Sequence, residues 1–418
     1  MYKIILLLHQ IFLYCSVTKI FYGLQSSLFA CIYTAITLAN FGFDDTLYPF
    51  FTSFSKSKKN FSNMILLTIL HTASIVFIAI FFYLIYQYQN QNSFLHNISI
   101  VCNENIQNII FLCLSIFILE AIKKTMITIM HLAFLNKDSA FAQIGMLTSY
   151  LIIFWLSYAW NKNISLYTIL IPMACTSLGE LCYITYKLKI WYDNLSDEYD
   201  PSAYIPFKVF YQQALYNYCN QITKVIYSSN IMTLSFSLFI GFEQAATIKF
   251  FTNLITLSYT CIAQSIGITS GTFFSLIKNN HSINIKKIFH EITLRHLQSL
   301  IIIGLLFIII LGFAWANSYI NNFLTLQILL FISMMNIEQI SIVYEQLSIA
   351  QEQSKFLALF HTVELFLLGE SLYLYLYRII NLTHLIIILF IIKLLYIQAL
   401  HWYTHKHIEN NAKSIPIH

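Results

Sequence analysis

Residues 300–313 read LIIIGLLFIIILGF, a stretch that contains no charged side chain and no proline. With its neighbours it forms a predominantly apolar block over 296–316. A helix of that length, rising about 1.5 Å per residue, crosses a hydrocarbon core of about 30 Å. Because a chain inside lipid must satisfy its own backbone hydrogen bonds, the block is predicted to be a transmembrane helix.

Blocks of this kind recur along the whole chain. Of its 418 residues, 58% are hydrophobic and only 10% are charged, whereas a soluble domain carries about a quarter charged residues. The runs are too long and too uniformly apolar for the alternating pattern of barrel strands. The sequence therefore predicts an all-α integral membrane protein with about 12 transmembrane helices, over residues 4–18, 22–42, 63–85, 107–133, 142–160, 165–186, 207–239, 244–275, 296–316, 320–347, 356–377 and 383–402.

Lysines and arginines are unevenly distributed between the predicted loops. With the N-terminus in the cytoplasm, 15 of the 23 lie in inner segments, whereas the outer loops hold Lys19, Lys162 and Arg378. Positive charge is retained on the cytoplasmic side of a membrane. We therefore expect a multi-pass protein of the cell inner (plasma) membrane with both termini in the cytoplasm.

The longest predicted inner connection is 191–206, WYDNLSDEYDPSAYIP, which is acidic and contains two of the five prolines. It falls between the sixth and seventh predicted helices. The sequence therefore predicts two six-helix lobes, 1–190 and 207–402, with 191–206 as a cytoplasmic linker and 403–418 as a cytoplasmic tail. Paired lobes are a common design of transporters.

Two stretches carry a family resemblance. The first combines Phe21-Tyr22-Gly23-Leu24 with residues 38–47, LANFGFDDTL, and the second is residues 240–246, IGFEQAA. They resemble the second helix and the seventh-to-eighth helix junction of bacterial polysaccharide (O-antigen type) flippases, which belong to the multidrug/oligosaccharidyl-lipid/polysaccharide exporter superfamily. The resemblance implies two six-helix lobes around a central cavity. The chain lacks the arginines that the lipid II flippase branch carries near its start, which disfavours a lipid II substrate.

Lys224 is the first candidate site residue, because a charge near the bilayer centre costs about 2.5–3.5 kcal/mol on insertion scales. It shares one helical face with Asn217, Asn220 and Gln221, and that polar face would suit a water-filled cavity. One interpretation is substrate binding, with Lys224 holding a phosphate as a compact point charge. The other is an ion pair with a glutamate of a neighbouring helix.

Glutamates in the tenth and eleventh predicted helices are candidates for ion coupling. Glu338 and Glu345 are seven residues apart and so face the same way, and Glu364 shares a face with His361. We expect Glu338 and Glu364 to lie at similar depths. A carboxylate in such a setting can carry a proton or bind Na⁺, but it can equally serve as a structural partner for a lysine.

The other charges within the predicted helices are expected to be structural. Glu120 is spaced three and four residues from Lys123 and Lys124, which allows mutual neutralisation on adjacent turns. Glu180 lies near the inner end of its helix. Lysines near a helix end can extend to the lipid headgroups, and this is the expectation for Lys249 and Lys393.

Three functions are compatible with these features. The first is a transporter or flippase that moves a lipid-linked oligosaccharide, or a similar amphiphile, by alternating access. The second is a multidrug or metabolite antiporter that uses Glu338 and Glu364. The third is a polytopic membrane glycosyltransferase or polymerase, which would present catalytic Arg or Asp on a large outer loop, whereas the predicted outer loop 87–107 has neither.

We therefore predict that the protein is not an enzyme. The sequence contains no phosphate-binding loop, no Gly-rich dinucleotide turn and no zinc-protease signature, so we expect no cofactor, no metal and no nucleic-acid partner. The expected partners are membrane lipids and a lipid-linked sugar substrate.

Overall fold

The computed structural model describes residues 2–88, 105–198, 201, 204–226, 228–261, 285–316, 320, 322–350, 354–377 and 379–413. Over these residues it contains α-helices and no strand. The helices are α1 (Tyr2–Ser16), α2 (Lys19–Ala39), α3 (Phe43–Phe54), α4 (Lys58–Tyr88), α5 (Ile106–Leu132), α6 (Asn136–Asn161), α7 (Leu166–Asp193), α8 (Phe207–Ile226), α9 (Ser229–Phe239), α10 (Phe242–Cys261), α11 (Ile285–Ala316), α12 (Asn322–Ala350), α13 (Ser354–Leu376) and α14 (Leu382–Lys413).

Nine helices of the described part are long and apolar enough to cross a membrane. The candidate spans are Lys19–Ala39, Lys58–Phe81, Ile106–Leu132, Asn136–Trp160, Leu166–Asp193, Lys287–Ala316, Thr325–Ser348, Lys355–Tyr375 and Thr383–Thr404. The chain is thus an all-α, multi-pass integral membrane protein.

Helix α11 shows why lipid is the solvent of these helices. Its buried side chains recur every three or four residues, at Leu300, Ile303, Phe307 and Leu311, and form the face that packs on α12. Large apolar side chains cover the rest of the same stretch and are exposed, namely Ile301, Ile302, Leu305, Leu306, Ile308, Ile309 and Phe313. A contiguous apolar surface of this extent marks contact with a membrane rather than with water.

Local sequence signals fix several helix starts. Thr18 caps α2 by accepting a hydrogen bond from the backbone N–H of Phe21 at 3.2 Å. Ser165 and Thr168 form a reciprocal capping box at the start of α7. Such caps satisfy amide groups that have no partner within the helix, so these ends lie close to where the sequence pattern predicts them.

Helix α3 is absent from the predicted spans and is the clearest difference at the N-terminal end. The chain turns at Phe41 and Gly42, whose φ angles are 48° and 73°, and the Asn40 Oδ1 atom accepts a hydrogen bond from the N–H of Asp44. The turn ends α2 and starts a second, shorter helix. At 12 residues, α3 is too short for a span-length search to find.

The predicted span 207–239 is two helices in the structure. Helix α8 ends at Ile226 and α9 begins at Ser229. The predicted span 244–275 corresponds to α10 as far as Cys261, and its remaining residues lie outside the described part, as does most of the predicted outer loop 87–107.

The chain divides into two compact units. The first comprises Met1–Gln221 and Asn230–Thr247, and the second comprises Ile222–Ser229 and Ile248–His418. The predicted domain limits at 190 and 207 stay a prediction.

The core of the first unit is built around α5 and α7, which pack on each other and on α2, α4 and α6. One of its clusters includes Leu24, Ile116 and Leu170, all with at most 1% exposure. Another cluster is centred on α3 and includes Phe43 and Phe54 of that helix with other aromatic side chains. The core of the second unit lies between α11, α12, α13 and α14, and its buried cluster comprises Phe289, Val343, Tyr344, Leu347, Leu357, Tyr396 and Leu400.

Candidate functional site

Ionisable and polar side chains from four helices form one connected network inside the second unit. We call it the Lys393 network. Its members are Thr223 and Lys224 from α8, Glu338 and Glu345 from α12, His361 and Glu364 from α13, and Lys393 and Tyr396 from α14.

Lys393 lies at the centre of this network and has no solvent exposure. Its Nζ atom is 2.5 Å from Glu338 Oε2 and 3.3 Å from Glu364 Oε1, and it lies 4.4 Å from the centre of the Tyr396 ring. The expectation that Lys393 extends to the headgroups is therefore wrong. Helix α14 continues to Lys413, so Lys393 lies well inside the helix rather than near its end.

Lys224 forms an ion pair, which is the second of the two interpretations left open by the sequence. Its Nζ atom lies 2.9 Å from Glu345 Oε2. The Glu345 side chain is 1% exposed, whereas that of Lys224 is 38% exposed. The ammonium end of Lys224 is therefore both paired with a buried carboxylate and partly accessible. Substrate binding by Lys224 therefore stays a prediction.

The polar residues that accompany Lys224 in the sequence have other partners. Asn217 donates a hydrogen bond to Thr46 Oγ1 at 3.0 Å. Gln221 donates to Asp45 Oδ2 at 3.0 Å and accepts from the N–H of Gly42. These contacts belong to the first unit and hold the turn between α2 and α3. The side chain of Asn220 lies outside the described part.

His361 connects two arms of the Lys393 network and is completely buried. Its Nδ1 atom lies 3.1 Å from Glu364 Oε2 and 2.9 Å from Thr223 Oγ1. Its Nε2 atom lies 3.1 Å from the hydroxyl oxygen of Tyr396. That hydroxyl in turn donates to Glu345 Oε1 at 2.9 Å. The predicted coupling residues Glu338 and Glu364 thus meet in one network, and Lys393 bridges them.

A second, smaller cluster of charges lies in the first unit. Lys123 Nζ is 2.5 Å from Glu120 Oε1 and 2.9 Å from Glu180 Oε2, and Ser177 donates a hydrogen bond to Glu120. The sequence predicts that Glu120 pairs with Lys123 and Lys124, and the structure confirms the pair with Lys123, while the expectation for Lys124 is wrong. Lys124 instead lies 3.9 Å from Asp44.

Sequence reasoning missed three members of the two clusters. Tyr396 and Ser177 are uncharged, and tyrosine and serine are too frequent in this chain for one of them to be noticed. Glu180 was expected near a helix end but is buried, with 1% of its side chain exposed. A signal was present for Glu180, since it lies inside the predicted span 165–186 and therefore needs a partner.

The described residues hold no group of three or more His, Cys, Asp or Glu side chains arranged to bind a metal ion. In the Lys393 network the ammonium group of Lys393 lies between the carboxylates of Glu338 and Glu364.

No protein-family model matches the sequence, and no curated protein matches it significantly. Among solved structures, the chain is similar to a mutant of the Vibrio cholerae MATE transporter VcmN, with 12% identity and a TM-score of 0.47 over 95% of this chain and 87% of that one. At these values the likeness does not establish a shared fold or function.

Proposed function

We propose that this protein is a secondary transporter or flippase that moves a lipid-linked oligosaccharide, or a similar anionic amphiphile, across the membrane by alternating access. The proposal rests on side chains inside the helices rather than on the fold alone. The resemblance of residues 21–24, 38–47 and 240–246 to polysaccharide flippases supports the substrate class.

The observation that carries the proposal is the position of Lys224 beside the interruption between α8 and α9. Discontinuous helices near the middle of the bilayer are the usual place for substrate sites in transporters. Lys224 lies two residues before the end of α8 at Ile226, and 38% of its side chain is exposed. A partly exposed ammonium group inside a membrane protein is suited to a phosphate of a lipid carrier.

The remainder of the Lys393 network supports ion-coupled transport. Buried ionisable groups in a membrane protein are costly, and they mark ion or proton pathways in pumps and transporters. The network connects the partly exposed Lys224 to the fully buried Lys393 through Glu345 and Tyr396. A substrate that binds Lys224 would compete with Glu345 for the same ammonium group and so change the charge balance around Lys393.

The test uses purified protein in proteoliposomes with a fluorescent polyprenyl pyrophosphate that carries one sugar. A membrane-impermeant quencher added outside reports how much probe has crossed. Lys224→Gln should slow crossing by about tenfold or more, because a hydrogen bond to a charged group contributes about 1.5–3 kcal/mol. The matched control is Lys189→Gln, which changes an exposed lysine of α7. In this variant the probe should cross at the wild-type rate.

The double variant Lys224→Gln with Glu345→Gln separates an anchor from a structural pair. The single change strands a buried carboxylate and should lower protein abundance, and the second change removes that carboxylate. Recovered abundance without recovered crossing supports the anchor. The anchor role is rejected if the double variant recovers both abundance and probe crossing, or if the probe crosses at the full rate in Lys224→Gln alone.

The Lys393 network would also suit a multidrug or metabolite antiporter. The same proteoliposomes loaded with ethidium distinguish the two functions. Ethidium movement that depends on an ion gradient, with no movement of the polyprenyl probe, would favour the antiporter.

A further inference from the structure

We propose that Tyr396 is a positioning residue, which fixes the place where the Lys224 ammonium group is presented to an anionic substrate. The role rests on the proposed function, since it requires Lys224 to bind that substrate. Tyr396 is buried, with 5% exposure, so it acts through other side chains rather than on the substrate itself.

Five side chains of the Lys393 network form a closed ring of contacts in the second unit. In order around the ring they are Lys224, Glu345, Tyr396, His361 and Thr223, and the distances between successive members are 2.9, 2.9, 3.1 and 2.9 Å. The ring closes through the backbone, because Thr223 and Lys224 are consecutive residues of α8. It therefore holds two neighbouring positions in the last turn of that helix.

Glu345 is the member of the ring that contacts Lys224, and Tyr396 sets its orientation. Glu345 Oε2 lies 2.9 Å from Lys224 Nζ, whereas Oε1 accepts a hydrogen bond from the Tyr396 hydroxyl at 2.9 Å. Because each oxygen has its own partner, rotation of the carboxylate about its terminal bond breaks both contacts. Glu345 thus holds the ammonium group through one oxygen and in one direction. Supporting hydrogen bonds of this kind fix the geometry of a binding group.

The position of the Lys224 ammonium group matters because lysine has a flexible four-carbon side chain. Ordering such a side chain costs free energy, and a site that has ordered it before binding avoids this cost. Here the ammonium group is paired with a buried carboxylate while the side chain is still 38% exposed. If the Tyr396 hydroxyl is removed, Glu345 can turn both oxygens towards Lys224 and hold it away from a substrate anion. The expected consequence is weaker substrate binding.

Tyr396→Phe is the variant that isolates this contact. The phenyl ring keeps the aromatic contacts of the tyrosine, with Lys393 Nζ 4.4 Å from its centre and the Phe360 ring 6.5 Å away, so the change removes the hydroxyl alone. The matched control is Tyr344→Phe. The Tyr344 hydroxyl also links α12 to α14, through His401 Nδ1 at 2.9 Å, but Tyr344 is not a member of the ring.

Hydrogen–deuterium exchange measures whether the ring restrains the end of α8. In Tyr396→Phe the amides of residues 222–226 should exchange about threefold to tenfold faster than in the wild type, since one hydrogen bond of the restraint is lost. In Tyr344→Phe they should exchange at the wild-type rate. Unchanged exchange in Tyr396→Phe would show that the ring does not hold this turn and would overturn the proposal.

Equilibrium binding of the fluorescent polyprenyl pyrophosphate tests the effect on the substrate site, measured by anisotropy with purified protein in lipid nanodiscs. Tyr396→Phe should raise the dissociation constant by about threefold to tenfold, whereas Tyr344→Phe should leave it unchanged. In a Lys224→Gln background, Tyr396→Phe should cause no further loss, because both residues act through one set of contacts. The same loss in both backgrounds, or an equal loss in Tyr344→Phe, would show a general structural effect and reject positioning.

Two results distinguish failure of this role from failure of the proposed function. A wild-type protein that does not bind the probe rejects the proposed function, and the positioning role with it. A wild-type protein that binds the probe with the same affinity as Tyr396→Phe rejects positioning alone. If Tyr396→Phe does not fold, Thr223→Val opens the same ring at its contact with His361 and should have the same two effects. A Thr223→Val protein with wild-type exchange and affinity would then overturn the proposal.

Discussion

At the scale of single residues, buried lysines are the most consequential feature of this protein. Lys393 and Lys123 are each almost inaccessible and each binds two carboxylates, Glu338 with Glu364 and Glu120 with Glu180. Breaking a buried ion pair by removing one member costs more than the pair contributes, because the partner charge stays buried without compensation. Such lysines are therefore requirements for folding as well as candidates for function.

Lys393→Met should destabilise the protein severely. Loss of one member of a buried pair costs about 3–5 kcal/mol, and here the change strands two carboxylates. The effect is measured as the midpoint of thermal unfolding in detergent, monitored by size-exclusion chromatography. The control is Lys19→Met at the exposed start of α2, which should leave the midpoint unchanged. A Lys393→Met protein as stable as the control would show that Glu338 and Glu364 do not depend on this ammonium group.

At the scale of helices, two glycines allow close contacts within the first unit. A Cβ atom on Gly23 of α2 would lie 2.6 Å from the carbonyl carbon of Phe242. A Cβ atom on Gly42 would lie 2.7 Å from the backbone nitrogen of Tyr218. Gly42 also has a φ angle of 73°, which is strained for residues other than glycine. Both stretches that resemble polysaccharide flippases thus meet at Gly23 and Phe242, which gives these motif residues a packing role.

Gly23→Ala and Gly42→Ala should each lower the unfolding midpoint in detergent, since the contacted atoms belong to the backbone and cannot move aside. Gly179→Ala in α7 is the matched control, because no atom lies within 4 Å of its added Cβ. A helical Gly→Ala change of that kind is neutral or stabilising by up to about 1 kcal/mol. Equal midpoints for all three variants would contradict the close contacts.

The lengths of the helices follow from local sequence, and their interruptions do not. Nine of the twelve predicted spans coincide with helices of the described part that are long and apolar enough to cross a membrane, because hydrophobic length is a property of each run by itself. Neither the end of α8 at Ile226 nor the start of α3 at Phe43 coincides with a proline. They depend on contacts with distant residues, such as the hydrogen bond from the N–H of Gly42 to Gln221.

At the scale of the whole molecule, contacts in the first unit join segments that the charge distribution assigns to the same side. Lys58 pairs with Asp197 at 2.9 Å, and Lys187 pairs with Asp138 at 2.8 Å. All four lie in or beside predicted inner segments. The contacts are consistent with the predicted arrangement of loops, while the side of the membrane on which they lie is still a prediction from the positive charges.

Cysteine labelling in spheroplasts tests this orientation. In a variant without the native cysteines, Asn163→Cys should react with an impermeant maleimide added from outside, because its loop is predicted to be extracytoplasmic. Asp197→Cys should react only after the membrane is permeabilised. Both residues are exposed in the structure, so lack of reaction is not explained by burial. Labelling of Asp197→Cys in intact cells would reverse the orientation.

The sequence by itself determined that this is an all-α membrane protein, because apolar runs of this length and composition are suited to a lipid environment and not to water. It also identified Lys224, Glu338 and Glu364 as charges that need a partner. Only the tertiary structure decided which partner each charge has. That choice depends on the rotation and depth of α8, α12, α13 and α14, which packing between helices fixes and no single helix encodes.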